Sequence, residues 1–260
     1  MDAKEPAHGA RFGVGAVLAG VALGLVAVPF GLLLFLVEEK WPPLLQADEA
    51  ARDGLHGLAV GNRAFVVAME ALSTIGSWWV YLLGFTAVTG WLLWRRLTRL
   101  AVFVAVTVAV NPLLNELVKV AVHRARPVLT DPVVHANGAS FPSGHAQAAM
   151  VGYSVLLLVF LPVLRGPARP VAIVVAALMV LAIGFSRVAL GVHYVSDVLA
   201  GYVLGAAWVA SMIALFNTWR RESRRPSADP ARGLEPESAP LLDPRNSRPG
   251  AQQDAPSDSG

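Results

Sequence analysis

The chain has 260 residues, of which 55% are hydrophobic and only 15% are charged, and its mean hydropathy is +0.55. This composition excludes an ordinary soluble domain and favours one membrane-embedded domain. The net charge of +3 does not indicate a nucleic-acid partner, because most charges flank hydrophobic runs. Without cysteine the chain can form no disulfide, thiol nucleophile or cysteine-ligated metal site.

The hydrophobic runs predict an all-α membrane protein with six spanning helices. A short polar leader, residues 1–11, precedes the first run, Val14–Val37, which carries no charge and is long enough to cross a bilayer. The five further spans are predicted at about Ile75–Trp94, Leu100–Val120, Ala146–Leu161, Val171–Phe185 and Val195–Phe216. The membrane domain therefore covers residues 12–219.

The segments outside these spans have distinct compositions. Glu38–Asn62 is polar and contains Trp41-Pro42-Pro43, which should interrupt a helix. An extramembrane loop is therefore predicted there, with room for a short surface helix around Ala47–Leu58. Arg63–Thr74 is amphipathic and is predicted to lie along the membrane interface. The tail, residues 220–260, is rich in proline, serine and charge, which predicts disorder in the cytoplasm.

The third predicted span contains several polar residues. Asn111, Asn115 and Glu116 are costly to expose to lipid, so they are expected to face the bundle interior or the interface. Glu116 is expected to pair with Lys119 or Arg126 as structural support.

Three short stretches contain the residues that are suited to chemistry. The first runs from Lys119 to Arg126 and Pro127. The second is Pro142-Ser143-Gly144-His145, and the third runs from Ser186-Arg187 through His193 to Asp197. Together they offer three cations, two histidines and a carboxylate, the inventory of a phosphoryl-transfer site.

The cations suit the charge that develops in phosphoryl transfer. In its transition state negative charge spreads over three equatorial phosphate oxygens, so positioned positive charge is the main catalytic requirement. Lys119, Arg126 and Arg187 can supply it, and the arginines can bind phosphate oxygens in bidentate fashion.

The remaining motif residues suit nucleophilic and acid catalysis. His193 and Asp197 are four residues apart and would share a helix face, where the carboxylate could accept one ring N–H. The other ring nitrogen would then be available to attack phosphorus. Ser143 is predicted to cap a helix whose first N–H groups face an anion, and His145 in that first turn could protonate a leaving alkoxide.

Together the motifs resemble the signature of the type 2 phosphatidic acid phosphatase superfamily, K-x6-R-P, P-S-G-H and S-R-x5-H-x3-D, at every signature position. The resemblance implies that His193 is the nucleophile, that Asp197 orients it and that His145 is the general acid. It implies phosphate binding by Lys119, Arg126, Ser143, Gly144 and Arg187. No metal-ligand spacing is present in the sequence, and neither a metal nor another cofactor is expected.

The predicted activity is metal-independent hydrolysis of a lipid phosphate or lipid pyrophosphate through a phosphohistidine. Phosphatidate-like lipids and polyprenyl pyrophosphate are the candidate substrates, with membrane lipids as the surroundings. Three alternatives remain: phosphotransfer from the same intermediate to another acceptor, a vanadate-dependent haloperoxidase, and a non-enzymatic relic. The six spans disfavour the second, and the presence of both His145 and His193 disfavours the third. The motifs fix neither the lipid nor an oligomeric state.

The distribution of lysine and arginine predicts the orientation. With both termini in the cytoplasm, the cluster Arg95, Arg96 and Arg99 and the pair Arg165 and Arg169 lie inside, as the positive-inside rule requires. All three motifs then reach the outer face of the plasma membrane, where they can form one pocket.

Overall fold

A computed structural model of the chain describes residues 24, 27–129, 132–223 and 225–243. The fold that they form is all-α, as predicted. Its α-helices are α1 (Ala27–Glu38), α2 (Pro42–Val60), α3 (Arg63–Ile75), α4 (Trp78–Trp94), α5 (Thr98–Val122), α6 (Gly144–Phe160), α7 (Ala168–Ala189), α8 (Val195–Glu222) and α9 (Ala239–Leu242). Short 3-10 helices lie at Leu161–Val163, Pro230–Arg232 and Pro236–Ser238.

The described helices make the chain an integral membrane protein with four or five candidate spans. α5, α6 with its 3-10 extension, α7 and α8 are long and apolar enough to cross a bilayer. α2 and α3 together form a fifth candidate, but they meet at a bend of 118°. α1 and α4 are apolar but shorter, so the structure does not by itself establish six spans. The first predicted span begins at Val14, outside the described residues.

The predicted loop between the first two spans is largely helical. Pro42 and Pro43 stand in the first turn of α2 and begin it instead of interrupting it, because their missing N–H groups would have no intrahelical acceptor there. Asn62 then caps α3 by accepting a hydrogen bond from the Phe65 N–H at 3.0 Å. The bent α2–α3 pair packs against α7, and α2 also reaches α8.

The centre of the bundle is α6, which packs against α5, α7 and α8. Gly201 and Gly205 on α8 allow the close approach: a Cβ atom at these positions would lie 2.6 Å from the Ser143 carbonyl oxygen and 3.0 Å from that of Gln147. This contact brings the first turn of α8 to the start of α6, where the Ser143 N–H donates to the Asp197 carbonyl oxygen at 2.9 Å.

Buried amides join α5 to α6, which confirms the prediction that Asn111 and Asn115 face the interior. The Asn115 Nδ2 group donates to Gln147 Oε1 at 2.6 Å, and Gln147 Nε2 donates to Asn111 Oδ1 at 2.8 Å. These hydrogen bonds satisfy polar groups that would otherwise be costly inside a membrane bundle.

The structure differs from the expectation of a disordered tail in residues 225–243. Leu234 and Leu242 are fully buried and belong to the main hydrophobic core. The tail has few apolar residues, but these two leucines pack into an apolar surface that the membrane helices already present. The rest of the tail, residues 244–260, lies outside the described residues.

Candidate active site

The three motifs meet at one end of the bundle. Lys119 lies in the last turn of α5, Arg126 follows in the loop, and Ser143 caps α6. Arg187 lies near the end of α7 and His193 in the turn before α8. His145, in the first turn of α6, is within electrostatic range of Lys119, Arg126, Arg187 and His193. The structure thus brings together the side chains that the motifs singled out.

The spacing of His193 and Asp197 had suggested that they share a helix face, but in the structure they do not. His193 precedes α8, and Asp197 lies in its first turn, where its Oδ2 atom accepts the Tyr194 N–H at 2.9 Å. The same oxygen lies 3.4 Å from His193 Nδ1, and both side chains are buried. The hydrogen bond that caps α8 therefore also places the carboxylate beside the imidazole.

Arg126 contacts the other nitrogen of the His193 ring. Its Nη1 atom lies 3.2 Å from His193 Nε2 and donates to the Val192 carbonyl at 2.7 Å. Because a guanidinium only donates hydrogen bonds, this contact requires an unprotonated Nε2 and places the ring proton on Nδ1, towards Asp197. The lone pair of Nε2 then faces the guanidinium of Arg126.

Burial keeps His193 neutral. It lowers the pKa of this histidine to about 4; Asp197 opposes the shift, and the nearby cations Arg126 and Arg187 reinforce it. At neutral pH the ring is therefore uncharged and has one nitrogen without a proton, which is the form that a nucleophilic role would require.

Arg187 is a buried cation with spare hydrogen-bonding capacity. Its side chain reaches the Ser73 hydroxyl through Nη1, and its buried Nε atom has no hydrogen-bond partner among the described residues. A buried charged donor of this kind needs an acceptor, so the arrangement suits an anion. Lys119 pairs with Glu116 at 2.9 Å, one of the two partners predicted for that glutamate.

The start of α6 supplies backbone donors. Ser143 caps the helix by accepting the Ala146 N–H at 3.5 Å, as predicted, and the first-turn N–H groups that follow have no intrahelical acceptor. Gly144 leaves room here, because a Cβ atom would lie 3.2 Å from Asn115 Oδ1, a tight contact. A phosphate near His145 would therefore meet the positive end of a helix.

The sequence had assigned no role to three residues that the fold brings to this site. Ser73 on α3 contacts Arg187, and Asp48 on α2 forms an ion pair with Arg124. Arg124 is mostly buried and pairs with Asp197 at 2.6 Å. A signal was available for Arg124, which lies within the first motif, but not for the other two.

A cavity of about 940 Å³ opens from the site between α4, α5 and α6. Lys119, Gly144 and His145 line one end of it, and apolar side chains such as Leu82 and Leu93 line much of the remainder. The described residues contain no group of three or more histidine, aspartate or glutamate side chains arranged to hold a metal ion.

Comparison with known proteins finds a family model that spans this site. The PAP2 superfamily model matches residues 96–221, which include all three motifs. The chain is 41% identical over 115 residues to phosphatidylglycerophosphatase B of Bacillus subtilis, covering 43% of this chain and 53% of that protein. It is 34% identical over 118 residues to lipid A 1-phosphatase of Rhizobium etli, covering 42% and 47%. The chain thus spans about half the length of the curated relatives it matches.

The fold is also similar to a solved structure. A crystal structure of a transmembrane PAP2-type phosphatidylglycerolphosphate phosphatase from Bacillus subtilis superimposes with a TM-score of 0.60 at 26% identity. The match covers 75% of this chain and 96% of that one, so it extends well beyond the motifs.

Proposed function

We propose that the protein is a membrane phosphatase that hydrolyses a lipid phosphate or lipid pyrophosphate. In support, the PAP2 superfamily model matches residues 96–221, as the three motifs predicted. The names of its relatives add phosphatidylglycerophosphate and lipid A 1-phosphate to phosphatidate-like lipids and polyprenyl pyrophosphate as candidate substrates. Both names denote phosphatases, which favours water over a second lipid as the phosphate acceptor.

The continuity of the apolar cavity with the phosphate site is the observation that carries this proposal. A headgroup phosphate at Lys119 and His145 would leave its hydrocarbon chain beside α4 and α5, within the bilayer. Ala105 also lines the cavity, and it lies fourteen residues before Lys119 on α5, which corresponds to about 21 Å of helix. The cavity is therefore long enough for much of an acyl or prenyl chain.

The reaction proceeds in two displacements at phosphorus. Substrate oxygens take the N–H groups of Arg126, which frees His193 Nε2 to form the P–N bond while the P–O bond to the leaving group breaks. His145 gives its proton to the leaving oxygen. His145 then takes a proton from water as the water oxygen attacks phosphorus. The P–N bond breaks, its electrons return to Nε2 as the lone pair, and phosphate leaves. Asp197 stabilises the imidazolium character of the first step.

Fixed cations take the part that a divalent metal has in other phosphoryl transfers. Lys119, Arg126, Arg187 and the α6 backbone surround the proposed phosphate position, so no metal ion is required. Phosphate release by purified protein should therefore persist in EDTA and should be inhibited by vanadate, which mimics the pentacoordinate state. Loss of activity in EDTA that Mg²⁺ restores would contradict this mechanism.

The cavity predicts selectivity for long chains. Gly90 on α4 lines it with open space around its Cβ position, so Gly90→Phe should fill the cavity without disturbing the backbone. For a long-chain lipid phosphate, kcat/KM should fall about tenfold or more because apolar contact with the chain is lost. Hydrolysis of glycerol phosphate should change less than about twofold, because this ester has no chain to bind.

The control for this prediction is Gly84→Phe. Gly84 lies on the same helix, also has open space around its Cβ position, and is not among the residues that line the cavity. Its replacement should leave both substrates unaffected. Equal losses on long and short substrates in the Gly90 variant would argue against a chain-binding cavity.

The proposed topology has six spans, both termini in the cytoplasm and the active site on the outer face of the plasma membrane. α4 and a first span that includes α1 complete the set. In support, Arg95 and Arg96 lie between α4 and α5, and Arg99 lies in the first turn of α5, at the end of α5 opposite to Lys119. The positive-inside rule assigns that end to the cytoplasm.

Cysteine labelling can test this orientation, because the chain has no native cysteine. His135, before α6, and Ala168, at the start of α7, are both exposed and lie at opposite ends of α6. A membrane-impermeant maleimide should label His135→Cys on intact cells and should label Ala168→Cys only after permeabilisation. The reverse pattern would place the active site in the cytoplasm.

A further inference from the structure

Asp48 on α2 is buried although it lies outside every motif. Its Oδ1 atom accepts the Ser196 N–H at 2.9 Å, and its Oδ2 atom accepts Arg124 Nη2 at 2.9 Å and the Ser196 hydroxyl. An isolated buried carboxylate is costly, but this one is fully engaged. Its partners lie in the loop after α5 and in the first turn of α8.

Arg124 connects Asp48 to the proposed catalytic carboxylate. Its Nη1 atom donates to Asp197 Oδ1 at 2.6 Å and to Ser196 Oγ at 2.7 Å. The guanidinium carbon also lies 4.3 Å from the centre of the Tyr194 ring. Burial by itself would lower the pKa of Arg124, but Asp197 and Asp48 more than offset this and raise it, so the side chain stays charged.

This bridge determines how Asp197 meets the nucleophile. Arg124 occupies Oδ1, while Oδ2 is left to the Tyr194 N–H and to His193 Nδ1. The orientation of the carboxylate is thereby set from the side away from the substrate.

The charges of the network also matter. Arg124 alone would neutralise Asp197 and weaken its effect on an imidazolium at His193. With Asp48 on its other side, the guanidinium is shared between two carboxylates, and the group as a whole retains one net negative charge. In a buried site this difference acts at close range and with little screening.

We propose that Asp48 and Arg124 are positioning residues that extend the His193–Asp197 pair to a chain of four, Asp48–Arg124–Asp197–His193. They orient the Asp197 carboxylate and preserve its negative charge for the step in which His193 forms its bond to phosphorus. This inference rests on the proposed function. Neither residue touches the substrate, so their replacement affects the chemical step and not the binding of phosphate.

The test compares kcat with phosphate binding in Asp48→Asn and Arg124→Gln. Both variants should lower kcat about ten- to a hundredfold, as is typical for residues that orient a functional histidine. The inhibition constant of inorganic phosphate should stay within about threefold, because Lys119, Arg126 and Arg187 are unchanged. Glu49→Gln is the matched control: this exposed neighbour of Asp48 on α2 should leave kcat unaltered.

Two further variants separate positioning from general stability. The double variant of Asp48→Asn and Arg124→Gln should lose no more activity than Arg124→Gln alone, because both residues act through one guanidinium. Arg124→Lys should recover only part of kcat, because an ammonium cannot bridge two carboxylates in the same way.

Several outcomes would overturn the inference. Normal kcat in Asp48→Asn and Arg124→Gln, measured beside an active wild type, would refute this inference and leave the proposed function standing. Parallel losses of kcat and phosphate binding would show a general structural role and would also refute it. If the wild-type protein released no phosphate from any of the candidate lipids, the proposed function would fail, and this inference with it.

Discussion

Replacing His193 with alanine should abolish both turnover and the covalent intermediate. Brief exposure of the wild-type protein to a lipid with labelled phosphate should trap a phosphoenzyme that is labile in acid and stable in base, as a phosphohistidine is. His193→Ala lacks the imidazole nitrogen that is proposed to accept the phosphoryl group, so kcat should fall by at least about 10³-fold.

The matched control for this prediction is His135→Ala. His135 is exposed and lies outside the site, so its loss should leave both the phosphoenzyme and kcat intact. A phosphoenzyme that formed undiminished in His193→Ala would assign the nucleophile to another residue. Disappearance of the label in both variants would point to loss of the fold.

Replacing His145 with alanine should have the second largest effect, and the effect should depend on the leaving group. An alkoxide is a poor leaving group without a proton, so hydrolysis of a lipid alkyl phosphate should slow by about 10²- to 10⁴-fold. A nitrophenyl phosphate leaves as a stable anion, and formation of the phosphoenzyme from it should slow far less. Rapid-quench measurement of that step with the two substrates gives the comparison.

The same pair of substrates distinguishes the two histidines. His193→Ala should lose activity on both, because it removes the nucleophile, whereas His145→Ala should retain much of its first step on the nitrophenyl ester. Equal losses on both substrates in His145→Ala would show that this histidine binds phosphate and does not act as the general acid. The inhibition constant of inorganic phosphate in that variant then measures the binding directly.

Arg126 would bind two different groups in turn in the proposed mechanism. In the structure it donates to His193 Nε2, the atom proposed to attack phosphorus. A bound phosphate must draw these N–H groups onto its own oxygens before the lone pair can react. The nucleophile is thus covered until an anion arrives, which favours phosphate esters over water or other small molecules as partners of His193.

Motif spacing predicted most of the site, but local geometry was harder to predict. The four-residue interval between His193 and Asp197 suggested one helix face, whereas the helix begins between them at Val195. The Asp197 carboxylate is committed to capping this helix through the Tyr194 N–H. Capping decides where the helix starts, and the spacing of two functional residues does not reveal it.

The segments that were expected to lie outside the membrane were predicted least well. Pro42 and Pro43 were expected to interrupt a helix, but in the first turn proline is well tolerated. Residues 225–243 have the composition of a disordered segment, yet Leu234 and Leu242 fill positions in the main core. Composition describes what a segment can bury by itself, not what surface the rest of the fold offers to it.

The sequence alone indicated the proposed chemistry of the site and predicted the membrane character of the fold. Phosphate chemistry needs particular residue types, which makes Lys119, His145 and His193 recognisable by identity and spacing, and span-length apolar runs are visible without a structure. Only the tertiary structure decided which residues support them. Asp48 and Ser73 reach Arg124 and Arg187 because α2 and α3 fold back over α7 and α8. Contacts between helices so distant in sequence leave no local periodicity, and the buried charges they satisfy become visible only when the helices are packed together.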